Sequence, residues 1–295
     1  MKNLKGIGLL CFLFICITPT NAEVKVVDYS GTLVVLTKPA ERIITLSPHI
    51  TENMFSAGAG DKIVASVDYA NFPDAAKALP RVGGFNISSV ETLVSYKPDL
   101  IIFWGSGNPQ KLLRRLRKLN YPVYVDEPKK LEDVARSIKD FGTLTGTQTH
   151  ANKIADDYLK QLNTLSLTYR EARKVGILYQ IWHDPLQTLG SHHLVSDVMQ
   201  ICGGTNVYSD AVSIAPVISL ESVFERNPEV ILASGVDDTP PTWLDEWRKY
   251  PQLSAVKHDN LLFIPPDLIQ RHTLRILQGT ENLCAQLDKV RKKAL

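Results

Sequence analysis

Ala151-Asn152-Lys153-Ile154-Ala155-Asp156-Asp157-Tyr158-Leu159-Lys160-Gln161-Leu162, continued by Leu165 and Tyr169, sets apolar or partly apolar residues at helical spacing. Asp156, Asp157, Lys160 and Gln161 fall between them, on the face left to water. From about Gly146 to Lys174 neither proline nor an internal glycine interrupts the pattern. Gly142 and Gly146 punctuate its start, and Thr147 or Thr149 is available as N-cap. A helix of about 25 residues would be about 37 Å long, the width of a whole domain.

Two similar units flank this helix. Before it stands Ser89-Val90-Glu91-Thr92-Leu93-Val94-Ser95-Tyr96-Lys97-Pro98-Asp99-Leu100-Ile101-Ile102; after it, Ser219-Leu220-Glu221-Ser222-Val223-Phe224-Glu225-Arg226-Asn227-Pro228-Glu229-Val230-Ile231-Leu232. Each reads Ser-apolar-Glu, a short helical pattern, Pro, an acid, then strand-like apolars. Register at Ser, Glu, Pro and acid together predicts two related lobes joined by one helix, facing each other across a cleft where a ligand would lie.

The remaining chain fits that plan. Its 295 residues, 44% hydrophobic, are enough for two lobes. Residues 1–22 read as a cleaved signal peptide: Lys2 and Lys5, a short apolar run from Gly6 to Ile17, and Thr20-Asn21-Ala22 as cleavage site. That run is far shorter than the ~20 residues a membrane span needs. Cys11 and Cys16 follow Leu9-Leu10 and Phe14-Ile15, not the small residue a lipobox requires. A soluble periplasmic product is therefore expected. Cleavage removes two lysines and no acid, leaving 31 basic and 31 acidic residues, a balance that gives no electrostatic reason for nucleic acid or anionic membrane as a partner. It also leaves Cys202 and Cys284. An oxidising compartment favours one disulfide between them, with two buried free thiols as the alternative.

Strand and helix alternate on both sides of the connector, which predicts parallel α/β lobes. The expected division is an N-terminal lobe over 23–145, a connecting helix over 146–173 and a C-terminal lobe over 174–295. In the first lobe strands are expected at Arg42–Leu46, Ile63–Val67, Leu100–Trp104 and Val123–Val125, with helices from Thr51 to Ala59 and from Gln110 to Leu119. In the second they are expected at Lys174–Tyr179, Val230–Ala233 and Leu261–Ile264, with Gln180 to Gln187 a loop and helices over Ser191–Gln200, around Trp243 and Trp247, and from Thr280 to Val290.

Ligands of open α/β sheets bind beyond the carboxyl ends of the strands. Those ends offer Ser47-Pro48-His49, Asp68-Tyr69, Trp104-Gly105 and Gln180-Ile181-Trp182-His183, so Tyr69, Trp104 and Trp182 are expected in the cleft, with Phe72 and Phe85 equally able to pack a core. No Gly-x-Ser-x-Gly, P-loop, His-Glu-x-x-His or Cys-x-x-Cys pattern occurs, and no catalytic constellation is expected. A metal site using His49, His183 and His272 across the cleft is the alternative, giving a metal-ion carrier or metalloenzyme; scattered histidines are more often surface or core residues. Arg114-Arg115-Leu116-Arg117-Lys118 reads as the solvated face of a helix.

Ile44-Thr45-Leu46-Ser47-Pro48-His49-Ile50-Thr51-Glu52, the Gly58 turn, Val82-Gly83-Gly84 and both Glu-Pro-acid units resemble the periplasmic binding proteins that serve ABC importers of corrinoids, haem and ferric siderophores. Asp68-Tyr69 with Phe72-Pro73, Ile102-Phe103-Trp104, and Cys202-Gly203-Gly204-Thr205-Asn206 with Cys284 make the corrinoid (vitamin B12) binders the nearest branch, across essentially the whole mature sequence. The resemblance implies two α/β lobes on one long helix, small opening motions, no catalysis and no cofactor other than the transported ligand. It implies corrinoid contacts from Tyr69, Phe85, Trp104, the Trp182 loop, Asp267 and Arg271, and docking of Glu91 and Glu221 onto arginines of a permease dimer that works with ATPase subunits. It also implies a monomer. Phe85, Ala215-Pro216 and Leu268 stand where those binders have Trp, Trp-Pro and Trp, so cobinamide, haem or a ferric siderophore remain alternative ligands.

Overall fold

A computed structural model describes residues 23–84, 89–191, 193–235 and 238–293. The expected signal peptide and Phe85 lie outside the described residues.

An antiparallel hairpin, Val24–Val27 with Leu33–Leu36, opens the chain, its alternate valines buried and exposed as the two-residue period of a half-covered strand requires. Next comes a four-stranded parallel sheet in the order Ile63–Ser66, Ile43–Thr45, Leu100–Trp104, Val123–Asp126. Ile43, Ile44, Ile101, Ile102 and Phe103 are fully buried, because helices cover both faces of such a sheet. The second sheet runs Leu261–Phe263, Val230–Ala233, Val175–His183, with Gly204–Asn206 and Leu186–Thr188 sharing the far edge of the long strand.

Several expectations change. The stretch 180–187 is not a loop: the strand from Val175 continues to His183 and turns back through Leu186–Thr188, the one antiparallel pairing in that sheet among the described residues. The helix after Ser47 begins at Pro48 rather than Thr51, since Pro at the first helical position loses no hydrogen bond. The helix Leu131–Thr145 has no counterpart among the elements expected from the sequence. Gly142 belongs inside it, where a β-carbon would collide with that of Ala151, so the glycine allows two helices to touch rather than ending one. Gly146 closes that helix in the left-handed conformation, φ 77°.

The connecting helix itself spans Gln148–Tyr169, shorter than 146–173. Ala151, Ala155, Tyr158 and Leu162 form its buried stripe. Its middle and its C-terminal end are tied to different neighbours: Tyr158 Oη donates to the Leu131 carbonyl at 2.8 Å, and Tyr169 Oη to Asp288 on the terminal helix Ile276–Lys293 at 3.2 Å. That terminal helix is fastened to the C-terminal end of the helix Leu194–Ile201 by a Cys202–Cys284 disulfide, so the bridge predicted between the two cysteines is present and the free-thiol alternative is not.

Candidate functional site

The strand ends of both sheets open onto one cleft of about 830 Å³, large enough for a drug-sized or larger ligand. The first sheet contributes Ser47, His49, Tyr69 and Trp104; Tyr179 and Ile181 come from the long strand of the second, and Asp267, Gln270, Arg271 and His272 from the segment after its last strand.

Each aromatic is held in place by residues that carry no chemistry of their own. Tyr69 is 81% exposed and sits at φ 63°, a left-handed conformation that costs a bulky residue of order 1–3 kcal/mol. What over-determines it is Arg81, whose guanidinium donates to the carbonyls of Val67, Ala70 and Ala76 at 2.8, 3.0 and 3.0 Å. That clamp fixes the 67–77 loop and projects the phenol into the cleft. Trp104 is anchored through Asn108, which accepts from the Trp104 amide at 2.7 Å and donates to the Leu46 carbonyl at 3.0 Å. Its indole lies over Gly107, where any β-carbon would strike the ring. The His49 ring packs against it in a T-shaped pair, centroids 5.3 Å apart.

Beneath the aromatics lies a polar floor. His49 Nδ1 is 2.6 Å from Ser47 Oγ, and its Nε2 is 3.3 Å from the buried Asp126 carboxylate. Asp126 in turn accepts from Ser137 at 2.6 Å. The two lobes meet here. Arg275 grips Glu52 through two bonds of 2.8 and 2.7 Å and covers the Phe72 ring at 4.0 Å. Asn53 donates to the His272 carbonyl at 2.8 Å, and Arg271 to Asn71 at 2.8 Å. Arg271 also pairs with Asp267 at 2.8 Å, so the cation in the lining is already balanced. Burial lowers the Arg271 pKa against the pull of Asp267 and Glu52. Burial, then the neighbouring His49 and His193 rings, pushes His272 down to about 3, leaving it a neutral imidazole. Tyr179, accepting from Gln270 at 3.0 Å, is raised by burial to about 12 and stays a neutral phenol.

Tyr69, Trp104, Asp267 and Arg271 are therefore brought together. Trp182 is not in the lining. Strand alternation gives the cleft Tyr179 and Ile181, while Trp182 stands half exposed, bonding Asp184 of its own turn at 2.8 Å. His183 stacks on Trp243 with centroids 5.9 Å apart, away from His49 and His272. Among the described residues no group of three or more His, Cys, Asp or Glu side chains could hold a metal ion.

Glu91 and Glu221 occupy matching places, each one residue into a short helix, Val90–Ser95 and Leu220–Arg226. Ser89 and Ser219 cap these helices by accepting from the amides of Thr92 and Ser222 at 3.1 and 3.2 Å. Both carboxyls are held below the ordinary range by their own backbone N–H and the capping serine. Of the two, only Glu91 has a cation beside it among the described residues, Arg115 at 3.1 Å. Sequence reasoning did not find Arg81, Asn108 or the Glu52–Arg275 grip; of these only Asn108 had a local sign beside it, the preceding Gly107, where the backbone must pass close to Trp104.

A parallel α/β lobe on either side of a ligand-sized cleft, braced by one helix, is the architecture of a solute-binding protein. Residues 43–268 match the family described as periplasmic binding protein, and the chain belongs to it. Similar curated proteins include vitamin B12-binding proteins: one from Vibrio cholerae is 34% identical over 255 residues, 86% of this chain and 92% of that protein, and one from Vibrio parahaemolyticus is 30% identical over 265 residues, 90% and 96%. The crystal structure of the periplasmic vitamin B12-binding protein of Vibrio cholerae superposes with a TM-score of 0.79 at 34% identity, over 86% of this chain and 99% of that one. A periplasmic haem-binding protein from Roseiflexus shares the fold, TM-score 0.74 at 21% identity over 85% and 99%. Among the described residues no helix is long and apolar enough to cross a membrane.

Proposed function

We propose that this chain captures a corrinoid, vitamin B12 or a near relative, in the periplasm and delivers it to an ABC importer. The observation that carries the reading is the lining of the cleft: π-faces from Trp104 and Tyr69, neutral hydroxyl, amide and imidazole groups, and one arginine already neutralised by Asp267. A corrinoid is a broad flat body edged with amides, and such a lining matches both its face and its rim. A commonly anionic ferric siderophore would call for uncommitted cations, and Arg271 is committed. Similarity to vitamin B12-binding proteins over most of the chain supports the same ligand. Residues 1–22 would direct export and be removed, and the mature protein would act as a monomer. Glu91 and Glu221, one on each lobe, would meet basic pockets of the permease dimer; charge pairs of this kind set register and encounter rate.

Calorimetry with cyanocobalamin and cobinamide tests it. The cleft is preformed, so Kd should be sub-micromolar, about −8 kcal/mol or stronger. Tryptophan fluorescence should be quenched by the coloured ligand. Trp104→Ala should weaken binding by about 30-fold, the loss of a buried aromatic anchor, and Trp182→Ala by much less. Binding of haem or a siderophore with no response to either corrinoid would overturn the proposal.

A further inference from the structure

Three imidazoles line the cleft, those of His49, His193 and His272. Their surroundings sort them. His49 turns both nitrogens toward its own lobe, Nδ1 to Ser47 at 2.6 Å and Nε2 to within 3.3 Å of Asp126. His193 caps the helix Leu194–Ile201, its Nδ1 accepting from the Val195 amide at 3.2 Å. That places the proton of the neutral ring on Nε2 and leaves no free lone pair. His272 is different. Its carbonyl is held by Asn53 and its ring stands 6.0 Å, centroid to centroid, from that of His49, yet neither of its ring nitrogens makes a hydrogen bond among the described residues. A neutral imidazole in the lining of a ligand cavity, with no hydrogen bond taking up its lone pair, is a metal donor in waiting.

A bare cation could not use it, since the described residues supply no group of three donors, and protein sites for free zinc or calcium need about four to eight. A metal already held in the plane of a macrocycle has a different requirement: a single axial donor completes it. Resting on the corrinoid reading, we propose that His272 supplies that axial nitrogen to the cobalt of corrinoids lacking a nitrogenous base of their own. The step is a ligand exchange. Water leaves cobalt(III), an imidazole nitrogen bonds in its place, and neither charge nor oxidation state changes. A corrinoid that carries its own base, with cyanide on the opposite face, has no vacant axial position and would be held by the cleft walls alone. The site would thereby accept complete and incomplete corrinoids by two different means, and His272 would set the preference between them.

The full mature chain can be loaded with aquacobinamide and followed by visible absorption, and with the cobalt(II) form by electron paramagnetic resonance. The spectrum should move from the water-ligated to the imidazole-ligated type, and the resonance should carry the triplet splitting that one axial nitrogen imposes. His272→Ala and the better space-filling His272→Gln should abolish both signatures and weaken cobinamide by about tenfold, a larger loss than either variant shows with cyanocobalamin. Cobinamide bound with a water-type spectrum and no nitrogen splitting overturns the proposal on the unaltered protein, whatever the variants do. Splitting that survives in His272→Gln overturns the assignment to this residue. If neither cobinamide nor cyanocobalamin binds, the corrinoid reading itself falls, a result distinct from both.

Discussion

Removing one partner of the Glu52–Arg275 pair should be among the most damaging single changes outside the hydrophobic core. Glu52 lies on the helix Pro48–Ser56 with its side chain 2% exposed; Arg275 reaches it from the far end of the chain, 15% exposed, through two bonds of 2.8 and 2.7 Å. Stripping one member from a buried pair leaves an uncompensated charge and typically costs about 3–5 kcal/mol. Arg275 keeps some water and has Asp267 at 3.6 Å as a second acid, so Glu52→Gln belongs at the low end. Arg275→Met leaves a nearly sealed carboxylate and also gives up the cation over Phe72, so it should cost more.

A loss of about 3 kcal/mol lowers Tm by roughly 6–12 °C in a chain of this size, well within reach of calorimetry. The informative measurement is the double variant, Glu52→Leu with Arg275→Met, which buries two apolar groups instead of an orphaned charge. Its cost should fall below the sum of the two singles by at least about 1 kcal/mol, because residues in direct contact do not add. Since the pair joins elements of both lobes, amide exchange around residues 271–275 should quicken in each single variant. Two singles that each cost under about 1 kcal/mol and simply add would refute the view that this contact holds the cleft floor together.

Two further outcomes follow from the same structure. Cys202 and Cys284 close a loop of 82 residues, so Cys202→Ala with Cys284→Ala should destabilise by up to about 4.5 kcal/mol on the chain-entropy account, read as a lower denaturant midpoint with ligand affinity nearly unchanged; an unchanged midpoint would contradict it. Glu91→Ala with Glu221→Ala should abolish corrinoid uptake in cells while Kd in solution stays within a few-fold, and either lost binding or normal uptake would remove these acids from the docking role.

How much of this was written in the sequence depends on how far apart the partners lie. The strands Leu100–Trp104 and Val230–Ala233 fall where their apolar runs place them, because such runs are buried on both sheet faces and bounded by Pro and Gly. The helix Leu131–Thr145 escaped notice because Gly142 looked like a stop. Its reason for being glycine is Ala151 on the next helix, a contact that only the packed structure reveals. Residues 180–187 looked like a loop because polar and aromatic side chains outnumber aliphatic ones there; a hairpin at a sheet edge tolerates them. Arg81 gave no sign at all, since it acts on backbone carbonyls, which every residue has. Glu52 and Arg275 stand 223 residues apart, and nothing local marks either as the other's partner.

The two Ser-apolar-Glu units show the same logic from the other side. Their repeated residues produce repeated structure: a serine cap, an acid in the first turn, a short helix and a buried parallel strand. Where the units differ is in what the strands lead to. Leu100–Trp104 ends in an indole laid over Gly107, while Val230–Ala233 ends in Ser234, which donates to the Ile264 carbonyl at 2.6 Å, and Gly235 at the cleft wall. A shared surface at the helix starts and divergent chemistry at the strand ends is what a carrier needs if one face must present matched acids to a paired receptor and the other must wrap a ligand with no twofold symmetry. Even the matched face is not fully symmetric. Arg115 stands beside Glu91 and has no counterpart, among the described residues, on Glu221's helix, where Arg226 is bound to Asp210. On the proposed docking, Arg115 would have to be displaced or shared before a permease arginine could reach Glu91, whereas Glu221 has no such neighbour among the described residues, so the C-terminal lobe is the one expected to engage first.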